Sequence, residues 1–277
     1  MASPLLQLDH VTKRFGRVVI AEDLSLTVGP GDTVGIVGPN GAGKTSLFGL
    51  ISGDLAPGAG EVRFAGRTVT RLDAAARCRL GIGRTYQVPR PFGDMTVFEN
   101  VLVAAQQGGG LRRRASYAAA VESLERTGMS GPANMPAERL GLLQRKRLEL
   151  ARALATQPTL LLLDEVAGGL TDPEVAQLVE IVRGVNAGGT AVIWIEHVVR
   201  ALTPLVSRLM CLAGGAFVGD GDPATVLADP AVREVFLGTE VTAALAGGSL
   251  GPSSPGGELQ SPPVKGDRAA GGERSEP

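Results

Sequence analysis

Residues 38–46 read Gly38-Pro39-Asn40-Gly41-Ala42-Gly43-Lys44-Thr45-Ser46, a spacing of glycine, lysine and hydroxyl that suits a polyphosphate. It fits the pattern G-x-x-x-x-G-K-[ST]. Glycines at 38, 41 and 43 let a backbone wrap closely and turn its N–H groups inward. A helix N-terminus behind such a loop adds partial positive charge. Lys44 supplies a full charge for β- and γ-phosphates, and the Thr45 hydroxyl suits a magnesium ion. The flanks agree. Thr33-Val34-Gly35-Ile36-Val37, entered from the Pro30-Gly31 turn, reads as a buried strand, and residues 46–51 read as a helix ending near Gly53. The expected chemistry is capture of a nucleoside triphosphate with its magnesium.

Carboxylates that suit that chemistry follow later. Four leucines, 160–163, end in Asp164. A continuous apolar run is typical of a parallel strand buried on both faces. The carboxyl ends of such strands open on the crevice where ligands sit, so Asp164 is expected to hold Mg²⁺, directly or through water. Glu165 is next in line to orient or deprotonate an attacking water. A charge solvated beyond the strand end is the plainer alternative. Glu196-His197 close the run Ala191-Val192-Ile193-Trp194-Ile195 in the same way, which makes His197 a candidate γ-phosphate sensor. Gln87 closes an expected strand over 83–87, and its amide can reach a metal ion or a water.

The elements that must position these groups follow from pattern. Residues 5–9, 11–15 and 24–28 read as strands, and 61–64 starts a short hairpin turning at Ala65-Gly66. These antiparallel strands precede any βα alternation and imply a β-subdomain. A helix is expected over 74–79. From residue 90 to 157 the chain reads as a helical insertion. Thr96 caps a helix over 96–105 with Glu99 three residues on, and further helices cover 116–127 and 141–156. Arg112-Arg113-Arg114 reads as a solvated helix start or loop rather than a nucleic-acid or lipid-headgroup patch. Asp172-Pro173-Glu174 opens a helix with Asp172 as cap and Pro173 at its first position. Trp194, the sole tryptophan, is expected in the core. A last hairpin joins 209–212 to 216–219, and short helices run to about 237.

Composition excludes several classes. The net charge is −1, so bulk electrostatics recommend no nucleic-acid partner. Cys78 and Cys211 have no metal or redox spacing. No signal peptide and no bilayer-spanning run is expected, so a membrane role must come through a partner. Residues 239–277 are rich in Gly, Ser and Pro and are expected to be a disordered tail behind a domain over 1–238.

In their order along the chain these motifs resemble the ATPase subunit of an ABC transporter, over about residues 5–238. The resemblance implies an α/β P-loop NTPase of ABC ATPase type, with a RecA-like core, an N-terminal antiparallel β-subdomain and a helical insertion. It implies ATP and Mg²⁺ as ligands, with Lys44, Glu165 and His197 in catalysis and Thr45, Gln87 and Asp164 at the metal. It also implies a transmembrane permease as partner, docked near residues 92–100, and a peripheral place on the cytoplasmic face of the inner or plasma membrane. Phe15 matches the aromatic residue that stacks on adenine; an exposed or core phenylalanine is the alternative. Within the family, Arg84-Thr85-Tyr86-Gln87, Met95-Thr96-Val97-Phe98-Glu99-Asn100 and the stretch 147–158 are similar to ATPases of branched-chain amino acid importers. Lipopolysaccharide-export ATPases share much of this. Soluble ABC ATPases acting on macromolecules carry a coiled-coil insertion or a second tandem domain, and this sequence has neither.

Three places depart from the family. The signature Leu-Ser-Gly-Gly-Gln aligns with Leu140-Gly141-Leu142-Leu143-Gln144, which lacks the serine hydroxyl and both glycines. Thr171 stands where the family has its D-loop aspartate, and Val166 where it has proline. Each signature completes the ATP site of the other subunit, so an identical pair would carry the change twice. The expectation is a heterodimer with a second ABC ATPase subunit, a homodimer being the alternative. A nucleotide-binding regulatory subunit with little turnover is a further reading.

Overall fold

A computed structural model describes residues 3–236, and the expected tail over 239–277 lies outside the described residues. Apolar alternation builds the first layer. Strand β1 (Leu6–Phe15) buries Leu6, Leu8 and Val11, and β2 (Val18–Val28) buries Ala21, Leu24, Leu26 and Val28. The stretches expected as separate strands are one strand, with a bulge where His10 sits at φ +52 and Asp23 at φ +54 on its partner. His10 Nδ1 and Asp23 Oδ1, 2.6 Å apart, pin the two bulges together. Next along the chain, β3 (Thr33–Val37) and helix α1 (Lys44–Ser52) belong to the second layer, and α1 stops at Gly53 with φ +90. The chain then returns with β4 (Ala59–Phe64) and β5 (Arg67–Thr68), giving an antiparallel sheet in the order β2-β1-β4-β5.

Helix α2 (Ala74–Leu80), capped by Asp73, leads into β6 (Ile82–Arg84). The expected strand over 83–87 is shorter than read. Pairing with β7 (Leu160–Asp164) covers only Ile82 to Arg84, and Tyr86 and Gln87 lie in irregular chain beyond it. The other elements are α3 (Val97–Val103), α4 (Arg114–Arg126), α5 (Leu142–Ala155), α6 (Asp172–Ala187), β8 (Ala191–Ile195), α7 (Val199–Leu202), β9 (Arg208–Ala213), β10 (Ala216–Gly221), α8 (Pro223–Ala228) and α9 (Pro230–Phe236). The Thr96–Glu99 capping box forms as expected, and α3 runs on into one π-helical turn, Ala104–Gly108. The cap of α6 is Thr171, not Asp172: Thr171 N–H donates to Glu174 Oε2 at 2.8 Å, which puts Pro173 one position deeper.

The second sheet runs β10-β9-β3-β8-β7-β6, parallel except for the β9–β10 hairpin. Alternation within β7 explains its four leucines. Leu160 and Leu162 face α1 and the first sheet, while Leu161 and Leu163 face α5 and α6. All four are fully buried, at about 2 kcal/mol of transfer free energy each. Helices α3, α4 and α5 share an apolar cluster of their own around Val97, Val101, Leu124 and Leu148.

Candidate functional site

The loop between β3 and α1 is shaped by two close approaches. A side chain at Gly38 would strike the Leu212 carbonyl, and one at Gly43, at φ +101, would strike the Ile20 carbonyl. Only glycine fits either place. Lys44 opens α1 and is buried. Its Nζ donates to Gly38 O at 2.8 Å and Pro39 O at 3.0 Å, so the ammonium folds over its own loop. Burial lowers its pKa, against the fields of Glu165 and Asp164. Thr45 is exposed beside it.

Thr45, Gln87 and Asp164 lie on the wall of one cavity of about 430 Å³, with Arg84, Tyr86 and Arg152. Asp164 is buried. Arg84 donates to its Oδ2 at 3.0 Å and to Asp54 at 2.8 Å, whereas Asp164 Oδ1 is buried without a partner. Burial raises the Asp164 pKa, and the Arg84 hydrogen bond opposes it. An orphaned carboxylate oxygen and a hydroxyl on one cavity suit a hard divalent cation. Among the described residues no three His, Cys, Asp or Glu side chains gather into a metal cage. That fits magnesium, which takes few protein ligands and completes its shell with phosphates and water.

Glu165 follows Asp164 at φ +46, a left-handed conformation rare for glutamate, and its N–H donates to Ile195 O at 2.9 Å. Gln87 lies on the loop beyond β6, not at a strand end, and still reaches the site: its Nε2 donates to Glu165 Oε2 at 2.5 Å. His197, after β8, has Nδ1 4.0 Å from Glu165 Oε2 and 3.9 Å from Glu196 Oε2. Glu196 is fully buried. Its Oε1 accepts from Ala167 N at 2.7 Å and from Trp194 Nε1 at 3.1 Å, its Oε2 has no hydrogen bond, and burial raises its pKa. Trp194 is therefore core, as expected, and also a donor to this carboxylate.

Sequence reading missed Lys146. Its buried Nζ donates to Gln87 O at 2.9 Å and Glu165 O at 3.2 Å. A signal was present: Lys146, Glu149 and Arg152 recur every third residue on α5 among leucines and alanines. Phe15 is 54% exposed at the end of β1, with Lys13 Nζ 5.2 Å from its ring centroid, so it is not a core residue. Gly141, Leu142, Leu143 and Gln144 do not line the cavity. They form the start of α5, with Gly141 at the cap position and Leu142 47% exposed.

Comparison with known proteins identifies the family. The ABC transporter family profile matches residues 21–168. The chain is 32% identical over 253 residues to the high-affinity branched-chain amino acid transport ATP-binding protein LivG of Escherichia coli K12, spanning 86% of this chain and 99% of that one. It is 32% identical over 240 residues to the lipopolysaccharide export system ATP-binding protein LptB of Acidithiobacillus ferridurans, covering 86% and 98%. Among solved structures, the ADP conformation of an ATP-binding cassette of an ABC transporter superposes with a TM-score of 0.79 at 27% identity, covering 86% of this chain and all of that one. Among the described residues no helix is long and apolar enough to cross a membrane. The chain belongs to the ABC transporter family, as the ATPase subunit of a transporter.

Proposed function

We propose that this chain binds ATP with magnesium, hydrolyses it with Glu165 as the water-orienting base, and energises the import of branched-chain amino acids through a transmembrane permease. The observation that carries the ATPase reading is the convergence of Thr45, Gln87 and Asp164 on one cavity, next to a buried lysine at a helix start. The amides of residues 38–44 and Lys44 hold the phosphates, for which Lys44 leaves its own loop carbonyls. Phe15, exposed at the end of its strand, stacks on the adenine. Thr45 and Asp164 hold the magnesium ion, which neutralises phosphate charge. Gln87 presents its amide to Glu165, so the carboxylate that takes the water's proton is fixed in direction. His197 stands within reach of the same carboxylate and reports the γ-phosphate to the segment after β8. The LivG likeness supports the amino-acid cargo. The LptB likeness supports lipopolysaccharide export as the second reading.

The test is ATP-driven uptake of labelled leucine, isoleucine and valine into proteoliposomes that carry the full chain with its permease and binding protein. Uptake abolished by Lys44→Ala supports the reading. ATP hydrolysis without amino-acid uptake overturns the cargo, and lipopolysaccharide release in its place moves the assignment to export. No MgATP binding overturns the whole.

A further inference from the structure

Helix α5 grips the loop after β6 with three charged side chains. Lys146 Nζ donates to Gln87 O, Arg152 Nη1 donates to Arg90 O at 3.1 Å, and the Glu149 carboxylate lies beside the Tyr86 backbone N–H. Arg152 also covers the Phe92 ring, its guanidinium carbon 5.4 Å from the centroid. The loop is thus held by α5 as well as by β6, whose Arg84 guanidinium carbon lies 5.0 Å from the Tyr86 ring centroid. Of the three, only Lys146 also takes hold of the parallel sheet, at Glu165 O, 3.2 Å away.

Glu165 needs such a hold. Its φ of +46 is a conformation that persists in a non-glycine residue only where the surroundings impose it. Three bonds fix its backbone: its own N–H to Ile195 O, from the β8 side, and, at its carbonyl, a long 3.4 Å bond from the Gly168 N–H and the Lys146 ammonium at 3.2 Å, from the α5 side. The Lys146 ammonium thus joins the backbones of the two residues whose side chains meet, Gln87 and Glu165. Lysine suits the place. A buried ammonium needs several acceptors, and here it has two carbonyls and the fields of Glu196, Glu165 and Glu149.

We infer that Lys146 is a positioning residue: carried on α5, it clamps the Gln87 and Glu165 carbonyls so that the aim of Glu165 depends on the orientation of that helix. This rests on the reading of Glu165 as the base. It adds that a movement of α5 reaches the carboxylate through Lys146, alongside the Gln87 side chain on the loop that α5 holds, without passing through the nucleotide.

The experiment compares Lys146→Met and Lys146→Arg with the parent in the assembled transporter, reading kcat and KM for ATP, the ATP dissociation constant, the melting temperature, and hydrogen exchange of residues 85–90 and 165–167. Loss of the clamp is expected to lower kcat on the order of 100-fold, the effect of a misplacement of about 1 Å. KM and the dissociation constant stay within about 3-fold, since phosphate binding does not use Lys146, and Lys146→Arg restores much of the loss because it keeps a cationic donor. Exchange rises in both segments together in Lys146→Met. A kcat within about 3-fold of the parent overturns the proposal, as does unchanged exchange in either segment, or a joint fall of kcat, ATP affinity and melting temperature, which marks a role in the fold alone. If the parent itself fails to hydrolyse ATP, the proposed function falls, and the exchange measurement alone decides the clamp.

Discussion

Two single atoms decide much of the local chemistry. Glu165 Oε2 accepts a 2.5 Å hydrogen bond from Gln87 and lies 4.0 Å from His197 Nδ1. Glu165→Gln keeps the size and a partner for Gln87 but removes the proton acceptor. ATPase turnover is expected to fall by about 10²- to 10³-fold, while the ATP dissociation constant changes by only a few-fold. Phosphate release at saturating MgATP and binding of a fluorescent ATP analogue separate the two, and a variant within about threefold of the parent in turnover would remove Glu165 from the role of base. The second atom is the thiol of Cys211, fully buried on β9. Burial pushes its pKa from 9.0 up to about 11, against the field of Lys44. A pKa raised in the folded state means stability that is complete below 9.0 and lost as pH climbs through about 11, because the unfolded thiol ionises first. In melting curves between about pH 8.5 and 11.5, which bracket that window, Cys211→Val should lose less stability with rising pH than the parent. Equal slopes would show that the thiol does not contribute.

At the scale of elements, one side chain finishes a helix that carries two site residues. Helix α1 leaves its last carbonyls without helical partners, as every α-helix does. Arg77, fully buried on α2, takes Leu50 O at 2.6 Å and Ile51 O at 2.9 Å, and also Thr70 O and Leu72 O, both at 3.1 Å. Arg77→Met strands several buried acceptors and should cost about 3 kcal/mol, a drop of roughly 10 °C in melting temperature; calorimetry showing a fall of less than about 2 °C would mean that water replaces the guanidinium. Arg77 also shows why some of the molecule was legible and some was not. The leucine run of β7, the Thr96–Glu99 box and the hairpin at Gly214-Gly215 write their geometry in adjacent residues, and each formed as read. The β-subdomain and the strand–loop–helix of residues 33–53 were legible for the same reason. Arg77 reaches 27 residues back to Leu50, and Lys146 reaches 59 back to Gln87, contacts that no local pattern encodes. The length of β6 was misread because its register partner lies nearly 80 residues on, and the chain beyond Arg84 follows α5 instead.

Across the whole molecule, the residues proposed to face ATP divide into two sets. Thr45, Gln87, Asp164 and Glu165 converge, joined by a hydrogen bond or by one cavity wall, and Lys44 lies in the field of Asp164 and Glu165. Gly141 to Gln144 stand apart, at the exposed start of α5. A phosphate approaching that start would meet the Leu142 side chain, itself packed toward Gly169, and a Gly141 cap with no hydroxyl to offer. Serine at 141 would supply both a helix cap and a phosphate donor, and glycines at 142 and 143 would open the backbone. If each chain lends its α5 start to the other's phosphate site, two copies of this chain make two poor sites, whereas a second subunit with an intact signature completes the site built on Lys44. We predict that the purified chain binds MgATP but hydrolyses it at a rate per chain that stays near zero and flat as concentration rises, with Lys44→Ala as the control for contaminating activity. In the assembled transporter, the combined change Gly141→Ser, Leu142→Gly and Leu143→Gly should then raise ATPase several-fold, because it repairs the one site that uses this signature. A rate per chain that climbs with concentration and vanishes in Lys44→Ala would mean instead that the chain pairs with itself and that leucines at 142 and 143 are compatible with catalysis. In that case the triple change would leave turnover where it was, and the contact made by the start of α5 would have to run through its first-turn backbone N–H groups, which have no helical partner, and the side chain of Gln144.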